Sequence, residues 1–244
     1  FLVGSFPRIS ETFIINQVAD LRDRGLEIEI FSFKKGDKEN VSKRFYDYKM
    51  ARSTYYLEMP ANILVRFLRA IPKILHILFV KPLVLPKVFN FKKYGKNALS
   101  LKLLYWIEPF LNKDFDIVHC HFGPIANKFL IIREILGLKQ ELITTFYGYD
   151  VSRVFKEKPT NFYDRLKKEC SLFLVMSNNM KERIVEYGFD AQKVRIHPVS
   201  IDVNSYPFKE RSIKEDEIIN IVSVGRFVEK KGFDDLLRAL AIVR

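Results

Sequence analysis

Apolar runs of strand length alternate along this chain with amphipathic runs of helix length, the pattern of a parallel sheet flanked by helices. Phe1 to Gly4 reads as the end of a strand. Ser10 opens a helix over Glu11 to Arg24, in which Phe13, Ile14, Val18 and Leu21 share one face and Gly25 supplies the stop. The strand LEIEIFSF (26–33) follows. After a long middle segment come the strand DIVHCHF (116–122), a helix from Pro124 to Leu136 stopped by Gly137, and the strand ELITTFY (141–147). A helix near Asn161 to Glu169, the strand SLFLVM (171–176), a helix over Asn178 to Tyr187 ended by Gly188, and the strand KVRIH (193–197) complete the set.

The polar, charged stretch Asp202 to Glu217 breaks this rhythm, and IINIVSV (218–224) with a helix from Gly232 onward restarts it. The expected organisation is a first α/β domain over 1–205 and, over 206–244, a linker with the first strand and helix of a second, truncated domain. One strand and one helix are too little to bury a core of their own. The chain starts at Phe1 without a Met, shows no secretory-signal pattern there, and stops at Arg244 inside a helical pattern, so a piece of a longer protein is expected.

The middle segment, Met59 to Ile107, contains nine Lys and Arg and no Asp or Glu, and carries most of the net charge of +12. Between Ala61 and Ile71 the positions Ile63, Leu64, Phe67, Leu68 and Ile71 form one helical stripe, with Arg66, Arg69 and Lys73 on another. This is a basic amphipathic helix, kinked or restarted at Pro72. It reads either as a helix packed on the sheet with solvated cations or as one that meets an anionic membrane surface. The apolar run Ile74 to Leu85 carries Lys81 and Pro82 and is too short to cross a bilayer.

With 48% hydrophobic residues and only two cysteines, the chain is neither a disordered tail nor a disulfide scaffold. Cys120 and Cys170 read as reduced thiols of a cytoplasmic protein. No helix-turn-helix spacing or aromatic stacking motif accompanies the basic stretch, so no nucleic-acid partner is expected.

In an open parallel sheet, ligands gather at the carboxyl ends of the strands. Gly225-Arg226-Phe227-Val228-Glu229-Lys230-Lys231-Gly232 leads from a strand into a helix and places a guanidinium, ammonium groups and a helix N-terminus together, a setting for an anion or for a solvated turn. His119 and His121 face one way and Cys120 the other; a metal site would need a third ligand, and none is predicted. Gly123-Pro124 starts a helix whose free N–H groups are available to an anion or hydroxyl. Tyr147-Gly148-Tyr149-Asp150 is either a place where a backbone approaches a substrate or a turn capped by Asp150. Neither a dinucleotide fingerprint nor a Walker loop is present.

Taken in chain order, these motifs resemble the family-four retaining glycosyltransferases of the GT-B fold, especially the bacterial polysaccharide-assembly members. The resemblance is carried by Phe6-Pro7 with Ser10 to Ile14, by Asp116 to Gly123, by Thr145 to Val151, by Ser177, Met180 and Arg183, by His197-Pro198-Val199 with Ile201-Asp202, and by Val224-Gly225-Arg226 with Lys231-Gly232. It implies a Rossmann-like parallel sheet with helices on both faces, the N-terminal half of a two-domain fold that holds a nucleotide-sugar mainly in the second domain and a saccharide or lipid-linked acceptor mainly in the first. The implied activity is transfer of a sugar with retention in cell-surface polysaccharide synthesis, at the cytoplasmic side of a membrane; this chain alone is expected to be inactive.

Gly225, Arg226 and Lys231 match the residues that bind the donor diphosphate, which implies a metal-independent reaction without a cofactor. Tyr147 and Asp150 fall at catalytic positions, and Ser10, Glu11, His121, Gly123, Gly148 and His197 at acceptor or cleft-lining ones. Many members carry histidine where this chain has Tyr147, whose phenol is a poor base at neutral pH. That departure leaves a catalytically silent scaffold in a polysaccharide-assembly complex as the alternative. A second departure is Ser200, where glycine is common.

Overall fold

A computed structural model describes residues 1–36, 39, 41–199, 201, 207–210, 212 and 218–243. The chain divides into two compact units, Phe1–Ile201 and Asp202–Arg244. The boundary expected at 205/206, together with Ser200 and Asp202, lies outside the described residues.

The first unit is built on seven parallel strands in the order β3-β2-β1-β4-β5-β6-β7: β1 (Leu2–Phe6), β2 (Ile30–Lys35), β3 (Thr54–Tyr56), β4 (Ile117–His121), β5 (Glu141–Thr145), β6 (Leu172–Val175) and β7 (Val194–Ile196). The architecture is Rossmann-like, as the resemblance implies. Successive residues enter opposite core layers: Val3 and Ile30 join Ile14, Ile15 and Val18 of helix α1 (Thr12–Asp23) on one face, while Leu2 and Phe31 join Phe129 and Ile132 of a later helix on the other. Burial of both faces is why these strands read as continuous apolar runs.

Strand β3 has no signal in the sequence, because three half-buried residues show no alternation; it forms where the outer edge of β2 offers a ladder, and Leu57 N–H closes it on Ser32 O at 2.8 Å. Between β2 and β3 lies the short helix α2 (Lys43–Asp47). Then come α3 (Ile63–Val80) and a chain of short helices, α4 (Leu85–Val88), α5 (Phe91–Tyr94), α6 (Lys96–Leu99) and α7 (Lys102–Ile107). Beyond β4 follow α8 (Gly123–Leu136), a π turn (Asp150–Val154) running into α9 (Phe155–Glu157), α10 (Asp164–Glu169) and α11 (Asn178–Glu186). Gly25, Gly137 and Gly188 end helices at positive φ, as the sequence predicts.

Helix α3 narrows two alternatives left by the sequence. It runs through Pro72 without restarting, and its apolar stripe is exposed rather than packed on the sheet. Leu103 to Ile107 of α7 are all buried and already fill that layer, so α3 lies outside α7 and buries only Ala70 and Ile77. Tyr105 Oη donates to Arg66 O at 2.6 Å, and Glu108 accepts from Lys73 at 2.6 Å and contacts His76 at 3.0 Å, pinning α3 by its polar edge. Among the described residues no helix is long and apolar enough to cross a membrane.

In the second unit the predicted helix forms as α12 (Phe233–Val243), preceded by a 3₁₀ turn (Glu229–Lys231) and by Gly232 at φ +62°. The expected strand over Ile218 to Val224 is absent. A strand needs a partner for its N–H and C=O groups, and the described residues of this unit provide none. Phe227 stacks on Phe233 with ring centroids 4.9 Å apart.

Candidate active site

The strand order reverses between β1 and β4, and ligands of open parallel sheets bind outside the carboxyl ends of the strands at such a switch point. A cavity of about 220 Å³ opens on that side. One wall is the polar edge of α1, with Asn16, Gln17, Asp20 and Arg24 beside Phe13 and Leu21; the other is made by Thr145 and Tyr147 after β5, Met176 after β6, and His197 to Val199 after β7. The buried stripe of α1 is Ile14, Ile15, Val18 and Ala19; of the four residues predicted to share one face, Ile14 and Val18 are buried, while Phe13, packed on the edge of that cluster, and Leu21 line the cavity.

Asp150 is fully buried and accepts from two backbone donors, Gly123 N–H at 3.1 Å on Oδ1 and Tyr147 N–H at 2.8 Å on Oδ2. It brackets the loops after β4 and β5, the capping role rather than one that meets a ligand. The start of α8, expected to be free for an anion or hydroxyl, is therefore occupied by the chain's own carboxylate. Burial pushes the Asp150 carboxyl up to about 7 against the pull of these two N–H groups, which favour the charged form. Gly123 is buried behind the cleft rather than lining it: a Cβ there would stand 2.6 Å from Tyr163 Oη and 2.7 Å from the Phe146 ring. Phe122 makes the turn at φ +74°, a costly region for a bulky residue, and its N–H donates to Thr145 O at 2.9 Å.

Tyr147 is half-buried, with its ring 4.9 Å from Phe13 and 4.6 Å from Phe122. Its Oη lies 2.8 Å from His121 Nδ1. His121 is fully buried, so it supports Tyr147 from beneath and does not line the cleft. Burial, reinforced by His119, holds the His121 imidazole far below its ordinary value, so it is neutral. Its Nε2 is buried without a hydrogen-bond partner among the described residues. An orphaned lone pair costs less than an orphaned N–H, so we assign the proton to Nδ1, donated to Tyr147 Oη, which leaves the phenol O–H free to donate onward.

Burial, with Asp150 and Glu11 nearby, raises the phenol well above its ordinary value, so Tyr147 is no base at neutral pH. His119 shares the face of His121, as predicted; its Nε2 contacts Thr145 Oγ1 at 2.7 Å, and burial lowers it to about 3. Cys120 lies in the opposite layer, and both cysteines are free and buried. Among the described residues no three of His, Cys, Asp and Glu are grouped so as to hold a metal ion.

The remaining predicted residues are dispersed. His197 is exposed on the cavity wall, its N–H fixed to Val175 O at 2.7 Å. Gly148 is exposed, and a Cβ there would meet nothing within 4 Å. Ser10 is exposed and makes no capping bond to α1; Glu11 pairs with Arg8 at 3.0 Å, burial raising its carboxyl against that guanidinium, and neither lines the cavity. In the second unit, Arg226 and Lys231 are exposed, Arg226 O accepts from Val228 N–H at 2.8 Å, and a Cβ at Gly225 would lie 3.7 Å from Lys231 Cδ. Sequence reasoning missed Asn16, Gln17, Asp20 and Arg24, although their spacing places them on one stripe of α1 beside the apolar one.

The chain is similar to the amylovoran biosynthesis glycosyltransferase AmsK of Erwinia amylovora, 32% identical over all of this chain and 60% of the relative. It is also similar to the putative colanic acid biosynthesis glycosyltransferases WcaL of Salmonella typhimurium and Escherichia coli, each 28% identical over 98% of this chain and 59% of the relative. The chain thus spans about three fifths of the length of these curated relatives. The pattern of Glycosyltransferase Family 4 matches residues 10–205. That match includes every residue lining the cavity between α1 and the strand ends, and on it the chain belongs to glycosyltransferase family 4.

Proposed function

We propose that this chain is the acceptor-side domain, with the start of the nucleotide-sugar domain, of an enzyme that moves a sugar from a nucleotide-sugar onto a saccharide or lipid-linked saccharide with retention, in polysaccharide synthesis. The observation that carries the proposal is the cavity itself. Two carboxamides (Asn16, Gln17), a carboxylate (Asp20) and a guanidinium (Arg24) face Tyr147 and His197 across it, with Phe13 supplying an apolar face. Such a set offers donors and acceptors at several heights around a ring of hydroxyl groups. The names of the relatives support polysaccharide assembly as the setting.

In this reading Arg226 and Lys231 grip the donor diphosphate with charge-assisted bonds and stabilise the charge that develops on the leaving nucleotide, so no divalent metal is required. Tyr147, held by His121, donates its O–H toward the sugar and moves no proton as a base. The test is nucleotide release by the full-length protein from nucleotide-sugars with a saccharide acceptor, with and without chelator. Arg226→Ala or Lys231→Ala should each lower kcat/KM by about two orders of magnitude; unchanged values in both refute the role.

A silent scaffold is the second reading, favoured by Tyr147, whose raised phenol cannot take a proton. An active parent whose Tyr147→Phe variant is slowed excludes it. A parent inactive on every donor, and not restored by Tyr147→His, supports it.

A further inference from the structure

Helix α2 stands between two recesses of the first unit. Its Arg44 donates to Asp20 at 2.5 Å and to Asn16 at 3.4 Å, fixing the polar wall of the cavity beside α1. The next two residues, Phe45 and Tyr46, line a second cavity of about 340 Å³ together with Lys35, Lys49, Arg52 and Tyr56. Lys35 is the last residue of β2 and Tyr56 the last of β3. This cavity too therefore lies at the carboxyl ends of parallel strands, where ligands of such sheets gather, and its size is that of a small-molecule site.

Its walls are cationic and aromatic. Lys35, Lys49 and Arg52 are exposed and form no ion pair with any described residue. No acidic side chain lines the cavity among the described residues. Glu58, whose Oε2 accepts from Lys35 N–H at 3.1 Å, lines a neighbouring recess instead. Three like charges gathered at one recess repel one another, and an anion relieves that repulsion. Lys49 is held at φ +48°, an uncommon conformation for a residue with a Cβ, with its N–H closed on Tyr46 O at 2.9 Å. Tyr46 is 56% exposed, yet its ring is set at 86° to that of the buried Phe45 with centroids 5.3 Å apart, and Phe45 in turn packs on Phe6.

We propose that this cavity binds an anionic sugar of the acceptor, a ring bearing a carboxylate or a phosphate, while another part of the same saccharide occupies the cavity beside α1. The ring lies against the aromatic face of Tyr46, Arg52 meets two oxygens of the anion with its planar fork, and Lys35 and Lys49 add point charges. The identity of the ligand rests on the acceptor-side reading of this domain. Binding is measured without a donor, so a protein that transfers nothing would still show it, and an active protein indifferent to the charge of its acceptor would overturn this proposal alone.

The test is calorimetric titration of the full-length protein with trigalacturonate, with glucose 6-phosphate and with neutral maltotriose. At least one anionic probe should bind about tenfold or more tightly than maltotriose, and less tightly as salt rises. Which of the two binds decides between carboxylate and phosphate. Lys49→Gln/Arg52→Gln removes two charge-assisted contacts and should weaken that probe by about tenfold or more with an unchanged unfolding midpoint, because both side chains are exposed. Lys35→Gln alone should give a smaller loss in the same direction, whereas Arg226→Ala, in the second unit, should leave the binding as it is. Equal binding of charged and neutral probes, or none, overturns the proposal. So does a charge preference that survives both Lys49→Gln/Arg52→Gln and Lys35→Gln, or one abolished by Arg226→Ala, which would assign the anion to the donor-diphosphate residues.

Discussion

The loops after β4 and β5 and the helix α3 treat exposure in opposite ways. At the strand ends polar groups are taken out of water and given partners: Asp150 holds Gly123 and Tyr147, His119 meets Thr145, and Tyr147 rests on His121. On α3 apolar groups are left in water while the helix is held by its polar edge on Tyr105 and Glu108. The first region is a junction in which each group depends on the next. The second is a face left about half exposed or more, so substitutions should be felt strongly in the one and weakly in the other.

The largest effect is expected from Asp150→Ala, which leaves two buried N–H groups without an acceptor and should destabilise the full-length protein by about 2 to 4 kcal/mol in denaturant unfolding. A loss below about 1 kcal/mol would mean that the junction does not depend on its carboxylate. Next comes Gly123→Ala, whose methyl group would meet Tyr163 Oη at 2.6 Å and force a shift costing about 1 to 3 kcal/mol. An unchanged midpoint would show that Tyr163 swings aside freely.

The same junction makes stability depend on pH. Because Asp150 is raised in the folded chain from 3.8 to about 7, its contribution is fully present below about pH 4 and is lost as pH rises through about 7, where a charge must be held in a dry site. Unfolding free energy should therefore fall between those values, and Asp150→Asn should remove that slope. If the variant keeps the parent's slope, another group sets it. The smallest effect is expected on the outward face, where Leu68→Glu or Leu75→Ser should change stability by no more than about 0.5 kcal/mol. A loss of 2 kcal/mol or more at either position, on the scale of a core truncation, would erase the contrast.

Much of the first region was legible in the chain. Strands β1, β4, β5 and β6 announce themselves because burial on both faces favours apolar runs, and Gly25, Gly137 and Gly188 because a helix ending at positive φ favours glycine. Tyr147 and His197 were found as strand-end residues. The bracket by Asp150 was legible only as one of two readings, since its partners are backbone N–H groups that no side-chain motif reports. Asn16, Gln17, Asp20 and Arg24 were not found, because a polar edge of an amphipathic helix looks the same whether it faces water or a cavity. The missing strand at Ile218 to Val224 fails for a related reason: apolar alternation states a preference, and pairing needs a neighbour.

From the amino-acid order alone follow the parallel α/β layering, the helix stops, the family resemblance and the acid-free basic segment, because each is a matter of local periodicity, local composition or motif order. Which way an amphipathic helix turns is different in kind. The stripe of α3 has the period of a core helix, and only the prior filling of the sheet face by α7 sends it outward. In the same way His121 is a strand-end imidazole in the sequence and becomes the buried support of Tyr147 only once β4 and β5 are paired in register, His121 opposite Thr145. Occupied volume and strand register are properties of many distant residues together, so they were settled in the tertiary structure and nowhere earlier.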